Sequence, residues 1–147
     1  MDAGEEVAPT LARFFEQVFG IYFDDLDPFQ ILHNARYLLL FERTLGEFWE
    51  EIGVVRGVDA RPGSLVARNE IDYLRPVKGL GKIRIRISIE RLGEKSMTVA
   101  FRMLPMDSDE DYARGRRVLV YVDQTTLKPA PWPEDFRAVL APWMPTG

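Results

Sequence analysis

The 147-residue chain contains no cysteine. Disulfides, thiolate metal centres and a cysteine nucleophile are therefore excluded. It holds one histidine, His33. A zinc site would then need a mostly carboxylate ligand set, which is unusual for zinc; no metal and no cofactor is expected. No apolar run approaches the roughly 20 residues of a membrane-spanning helix. The opening MDAGEEVAP is acidic and lacks the basic and apolar regions of a secretory signal. A cytoplasmic protein with no membrane partner is expected. Basic residues are outnumbered, 19 Lys and Arg against 23 Asp and Glu, a net charge of −4. A nucleic-acid partner, which needs a basic stripe, is not expected. What is present is globular composition, 46% apolar and 29% charged residues, in a chain long enough for one domain with a real core. The expected organisation is a single domain over residues 1–147, with no repeat and no linker.

The longest organised stretch is Asp27 to Glu51, DPFQILHNARYLLLFERTLGEFWEE. A turn at Asp27-Pro28 is followed by apolar residues at Tyr37, Phe41, Thr44/Leu45, Phe48 and Ile52. Leu38, Leu40 and Trp49 widen the stripe, and Arg43, Glu47, Glu50 and Glu51 hold the other side. That spacing predicts a long helix burying a broad face and ending near Gly53. Tyr37–Phe41 is apolar nearly all round, so a larger element is expected to wrap it.

The remainder reads mostly as β. Residues 1–9 are expected to be a loose leader, with a short helix possible from Pro9-Thr10. Arg13–Phe23 is rich in aromatic and β-branched residues and predicts a strand, Gly20 marking a bulge or a close backbone approach. Val55–Ser64 reads as a loop. Leu65–Arg75 is a strand stopped by Pro76. Lys82–Leu92 is the clearest strand, with Ile83, Ile85, Ile87 and Ile89 on one face and Arg84, Arg86, Ser88 and Glu90 on the other. Ser96–Leu104 returns, Met106–Tyr112 is a solvated acidic loop, and Gly115–Val122 is a fifth strand. Glu134–Leu140 closes the chain as a short helix opened by Pro133. Consecutive strands joined by short turns indicate an antiparallel α+β sheet.

Several stretches carry a resemblance. Asp27, His33, Asn34, Ala35, Tyr37, Phe41 and Glu42, with Asp72–Val77, Val118–Asp123 and Leu127–Pro129 downstream, resemble the hotdog-fold acyl-CoA thioesterases of the 4-hydroxybenzoyl-CoA thioesterase type. The resemblance covers about residues 14 to 137 and implies a five-stranded antiparallel sheet wrapped around a long central helix. The chain departs from the pattern at Gln30, where the family commonly has Gly. It also carries Asn34 where one branch has a functional His, and His33 lies one residue earlier.

By that resemblance Asp27 is the base or nucleophile, and the backbone N–H of Asn34, at the helix start, is the oxyanion donor. Helix-start amides lack intrahelical partners and carry partial positive charge. Spacing alone makes Asp27 an ordinary turn or cap residue. His33 is expected to be structural or pocket-lining before it is catalytic. The Asn34 side chain is an alternative helix cap, and Glu42 is expected to be a buried or subunit-interface acid paired with an arginine. Tyr37 lines the acyl pocket or the core. Arg75 and Lys78 are candidates for the phosphates of CoA, and Arg114, Arg116 and Arg117 form a second basic cluster. The resemblance implies an acyl-CoA substrate, or an acyl-carrier-protein substrate, and a homodimer or homotetramer. A non-catalytic acyl- or partner-binding protein and, below it, an enoyl-thioester hydratase are the alternatives.

Overall fold

The structure, a computed structural model, describes residues 13–54 and 63–145. The expected leader, the Pro9-Thr10 helix and most of the Val55–Ser64 loop fall outside them. In chain order the elements are β1 (Phe14–Ile21), a 3₁₀ turn (Phe23–Asp25), α1 (Asn34–Glu51), β2 (Ser64–Tyr73), β3 (Gly81–Leu92), β4 (Ser96–Pro105), β5 (Ala113–Tyr121), α2 (Glu134–Leu140) and a closing 3₁₀ turn (Ala141–Trp143). The strands form one sheet in the order β1-β3-β4-β5-β2, every neighbouring pair antiparallel. With α1 held on one face, this is the hotdog arrangement.

The alternation in β3 sets the two faces. Ile83, Ile85, Ile87 and Ile89 are each at most 1% exposed and point at α1. Met97, Val99, Phe101 and Met103 of β4 continue that face. From α1, Tyr37, Leu40, Phe41, Thr44, Leu45 and Phe48 meet them, and Phe41 stacks on Phe101 at 4.4 Å. Burying each of these larger side chains is worth about 1.5–3 kcal/mol, so the amphipathic stripe determines where the helix lies. Thr44 Oγ1 donates to the Leu40 carbonyl at 2.9 Å, which satisfies the hydroxyl of a fully buried threonine. The C-terminal half of α1 is capped by Phe136, Leu140 and Trp143, with Phe48 edge-on to Trp143 at 4.9 Å. The N-terminal end of α1 is left to the loops that build the site.

Three boundaries differ by two residues from the sequence reading, one of them the end of β2, at Tyr73 rather than Arg75. The first strand stops at Ile21 rather than Phe23, because Asp25 Oδ2 accepts the Tyr22 N–H at 2.8 Å and turns the chain into the 3₁₀ turn. The last strand begins at Ala113 rather than Gly115 and pairs with β2 from its first residue. The acidic Met106–Tyr112 segment, expected to be solvated, is tied down by arginines. Arg84 donates to the Pro105 and Ser108 carbonyls and Arg102 to that of Asp109. Gly20 marks neither a bulge nor a backbone approach: it pairs in unbroken register, and what comes close is a side chain, the Tyr22 hydroxyl lying 2.6 Å from where a Cβ would stand.

Candidate active site

Between the 3₁₀ turn and α1 the chain makes a tight loop that presents Asp27. The loop is closed by a bridge between Leu26 and Leu32 and by Asp27 N–H donating to the Ile31 carbonyl at 2.8 Å. Asp27 Oδ1 accepts the amides of Phe29 at 2.8 Å and Ile31 at 3.3 Å. An aspartate before proline favours this turn, since its short carboxylate replaces a backbone acceptor. Among the described residues Oδ2 has no protein partner. One oxygen therefore holds the turn and the other is available.

Gln30 sits at φ 64°, the left-handed region that glycine occupies without strain. The residue that departs from the resembled pattern thus keeps the backbone shape that the pattern requires. Replacing it tests the cost: Gln30→Gly is expected to stabilise the protein by up to about 1 kcal/mol, the strain relieved less the added freedom of the unfolded chain. Differential scanning calorimetry should show a melting temperature raised by about 2–4 °C.

The loop is clamped from below. Leu32 N–H donates to the Val77 carbonyl at 2.8 Å, Gly79 N–H to that of Gln30 at 2.9 Å, and Ile31 bridges Lys78. These bonds fix the start of α1 against the segment that crosses from β2 to β3. His33 is the N-cap, its Nδ1 accepting the Ala35 amide at 3.0 Å. The alternative in which the Asn34 side chain caps the helix is therefore corrected: Asn34 is the first helical residue. Its own N–H finds no protein acceptor among the described residues, as expected at a helix start.

Asp27, His33, Asn34, Tyr37 and Arg75 line one cavity of about 510 Å³, with Tyr73 and Pro76 among its other walls. Tyr73 meets Tyr37 edge-on at 4.9 Å; it lies within the Asp72–Val77 segment but was not singled out from sequence. Burial first, then the neighbouring Tyr73, raises the Tyr37 hydroxyl above its usual 10.0, with Asp27 adding in the same direction and a Val77 backbone hydrogen bond opposing it. The folded protein therefore holds this proton more tightly than the unfolded chain. Stability contributed here is intact below pH 10 and is lost as pH rises past it, because the unfolded state ionises first. Thermal melts should hold level up to about pH 9 and then fall, and Tyr37→Phe should remove part of that fall.

Residues 21–140 match the thioesterase-like superfamily. The chain belongs to that family. Among curated proteins, the uncharacterized protein YsmA of Bacillus subtilis is 22% identical over 131 residues, covering 89% of this chain and 87% of its own length. A predicted thioesterase from Bacillus stearothermophilus superposes with a TM-score of 0.80 at 23% identity, covering 90% of this chain and 97% of that one. A 1,4-dihydroxy-2-naphthoyl-CoA thioesterase from Synechocystis superposes at 0.79 with 14% identity, covering 88% and 96%. The hotdog fold is shared throughout.

The basic residues of this thioesterase-like chain divide into different settings. Arg75 joins the Asp27 cavity to a second one of about 430 Å³ that Lys78 also lines. Its guanidinium lies 4.6 Å over the Tyr112 ring and donates to the Glu110 carbonyl at 2.6 Å. Arg75 is thus partly spent on holding the acidic loop, whereas Lys78 is exposed. The second basic cluster does not exist as one. Arg116 lies on the outer face, gripping Glu90 through two bonds of 2.9 Å, and Arg114 stands beside Asp111. Arg117 points the other way, 5% exposed, and donates to Glu42 and Asn69 at 2.8 Å each while covering the Phe41 ring. Glu42 does pair with an arginine, but it remains largely exposed itself.

Proposed function

We propose that this chain is an acyl-CoA thioesterase. The observation that carries the reading is the meeting, in one cavity, of an aspartate with an available oxygen and a helix-start amide, neither with a partner among the described residues. In the general-base form, Asp27 Oδ2 takes a proton from water and the hydroxide oxygen bonds to the thioester carbon. The carbonyl electrons move onto oxygen, and the oxyanion accepts a hydrogen bond donated by the Asn34 N–H. Collapse breaks the C–S bond, and the thiolate leaves with the proton held by Asp27. In the nucleophilic form Oδ2 itself bonds to the carbon, the thiolate leaves, and water cleaves the resulting anhydride. In a single turnover in ¹⁸O-water, label in the Asp27 carboxylate establishes the second form, with water attacking the Asp27 carbon of the anhydride, because the first form labels the product acid alone. One oxyanion donor is typically worth 10²–10³ in rate, in order-of-magnitude terms.

His33 orients the helix start through its bond to the Ala35 amide, and Tyr37 with Tyr73 forms the acyl wall. Arg75 and Lys78 line the adjoining cavity and suit the CoA phosphates; the CoA-thioesterase neighbour favours the same thiol. An acyl-carrier protein is the other thiol donor these basic residues suit. The assembly we propose is a homodimer, or a tetramer of two such dimers. It is supported by β2, an edge strand carrying Leu65, Val66 and Tyr73 at 48–52% exposure beside the cavity, a surface that proteins usually cover. Release of free thiol from short, long and aromatic acyl-CoAs tests the activity. Turnover on at least one is expected; none on any acyl-CoA, nor on acyl-carrier protein, would sink it.

A further inference from the structure

Three apolar side chains stand out from one end of the sheet and belong to no core. Phe23 and Phe29 are each 83% exposed and Leu80 is 68% exposed. They come from three separate segments: the 3₁₀ turn, the Asp27 loop and the turn leading into β3. Those segments are bound to one another. Ile21 and Gly81 form the last rung between β1 and β3, Gly79 N–H donates to the Gln30 carbonyl, and Ile31 bridges Lys78. Leu80 is the tip of Lys78-Gly79-Leu80-Gly81-Lys82. Gly79 and Gly81 take φ of 73° and 149°, conformations open to glycine, and the turn they allow leaves the leucine exposed between two exposed lysines. The nearby acids are unequal: Asp25 is turned onto Arg36 and the Tyr22 amide, while Asp24 is exposed.

We propose that this tip docks on the surface of an anionic lipid bilayer. Phe23 and Leu80 enter the headgroup–acyl boundary, and Lys82 meets the lipid phosphates, Lys78 being left to the adjoining cavity. Apolar residues flanked by lysines are the combination that interfacial binding uses, burial and charge attraction acting together. Phe23 and Leu80 project from the surface, which suits a deformable lipid surface better than a protein partner. Such docking is contact with one leaflet; among the described residues no helix is long and apolar enough to cross it. Phe29 also lines the Asp27 cavity, so docking brings the cavity mouth to the bilayer. Resting on the thioesterase reading, that position favours thioesters whose long acyl chains partition into membranes.

The test is co-sedimentation of the full-length protein with phosphatidylcholine vesicles, with and without phosphatidylglycerol. Binding is expected to the phosphatidylglycerol vesicles, to weaken with added salt, and to fall at least about 10-fold in Phe23→Ser/Leu80→Ser. Lys82→Glu should weaken binding as well. Circular dichroism of the double variant should match wild type, and its turnover of a short, soluble thioester should be unchanged. Absence of wild-type binding, or equal binding by the double variant, overturns the proposal. So does sedimentation showing a self-association that the double variant abolishes, which would make a second copy the occupant. Vesicle binding is read without turnover, so a failed hydrolase assay and a failed docking assay remain distinct results.

Discussion

Asp27→Asn is expected to lower the rate of thiol release by about 10²–10⁴ and to leave the fold intact. The two halves of that expectation come from the two oxygens of one carboxylate. Oδ1 accepts the Phe29 and Ile31 amides, and an asparagine carbonyl oxygen accepts the same bonds in the same place. The available oxygen is replaced by an amide nitrogen, which neither takes a proton from water nor attacks a carbonyl. Activity and stability should therefore separate in Asp27→Asn and fall together in Asp27→Ala, where the turn also loses its acceptor at a cost of about 1 kcal/mol. Thiol-release kinetics and a thermal melt on wild type and both variants check this. Unaltered turnover in Asp27→Asn would remove the aspartate from the chemistry and leave it a turn residue. A melting temperature that collapses in Asp27→Asn would show that the carboxylate charge, rather than its acceptor geometry, holds the loop.

The architecture was legible because its patterns are local. Four isoleucines at period two define the inner face of β3, and a broad 3,4-spaced stripe defines α1; both survive any choice of tertiary partner. Gln30 was legible only in part. As a departure from the glycine of the resembled pattern it left the shape of the Asp27 turn open, and only the structure shows that the backbone there keeps a left-handed φ of 64°. What could not be read was decided by register. Arg114, Arg116 and Arg117 are close in sequence, yet alternation puts the first two outside and the third beneath α1, opposite Asn69. The helix cap falls on His33 rather than Asn34 because the Leu32–Val77 and Gly79–Gln30 bonds fix where the first helical turn begins. Tyr73 escaped notice because an aromatic residue at a strand end is ordinary; only the packing of β2 beside α1 brings it to Tyr37. The candidate site therefore emerges from two distant segments; the Asp72–Val77 side carried part of the resemblance and offered Arg75, but not Tyr73.

That dependence on β2 makes Gly115→Ala the substitution with the largest expected structural effect. A Cβ at position 115 would run into the Glu70 carbonyl and come within 2.7 Å of Phe101 Cζ. The ring is wedged by Phe41 on its other side, and the carbonyl belongs to a paired strand, so neither can yield cheaply. Overpacking of this kind costs about 1–3 kcal/mol, and contact with backbone places it at the upper end. Thermal melts should show a loss of about 5–10 °C for a chain of this size. Gly115→Ala/Phe101→Leu should recover only part of it, since the smaller side chain relieves the ring and leaves the carbonyl. Full recovery would mean that the ring alone sets the limit. The consequence reaches the site because β5 is the one sheet neighbour of β2 among the described strands, and Tyr73 ends that pairing opposite Ala113. Forcing the two strands apart at Gly115 loosens the acyl wall and leaves the Asp27 turn untouched. KM for acyl-CoA should accordingly rise more than kcat falls in Gly115→Ala, the reverse of the pattern expected from Asp27→Asn.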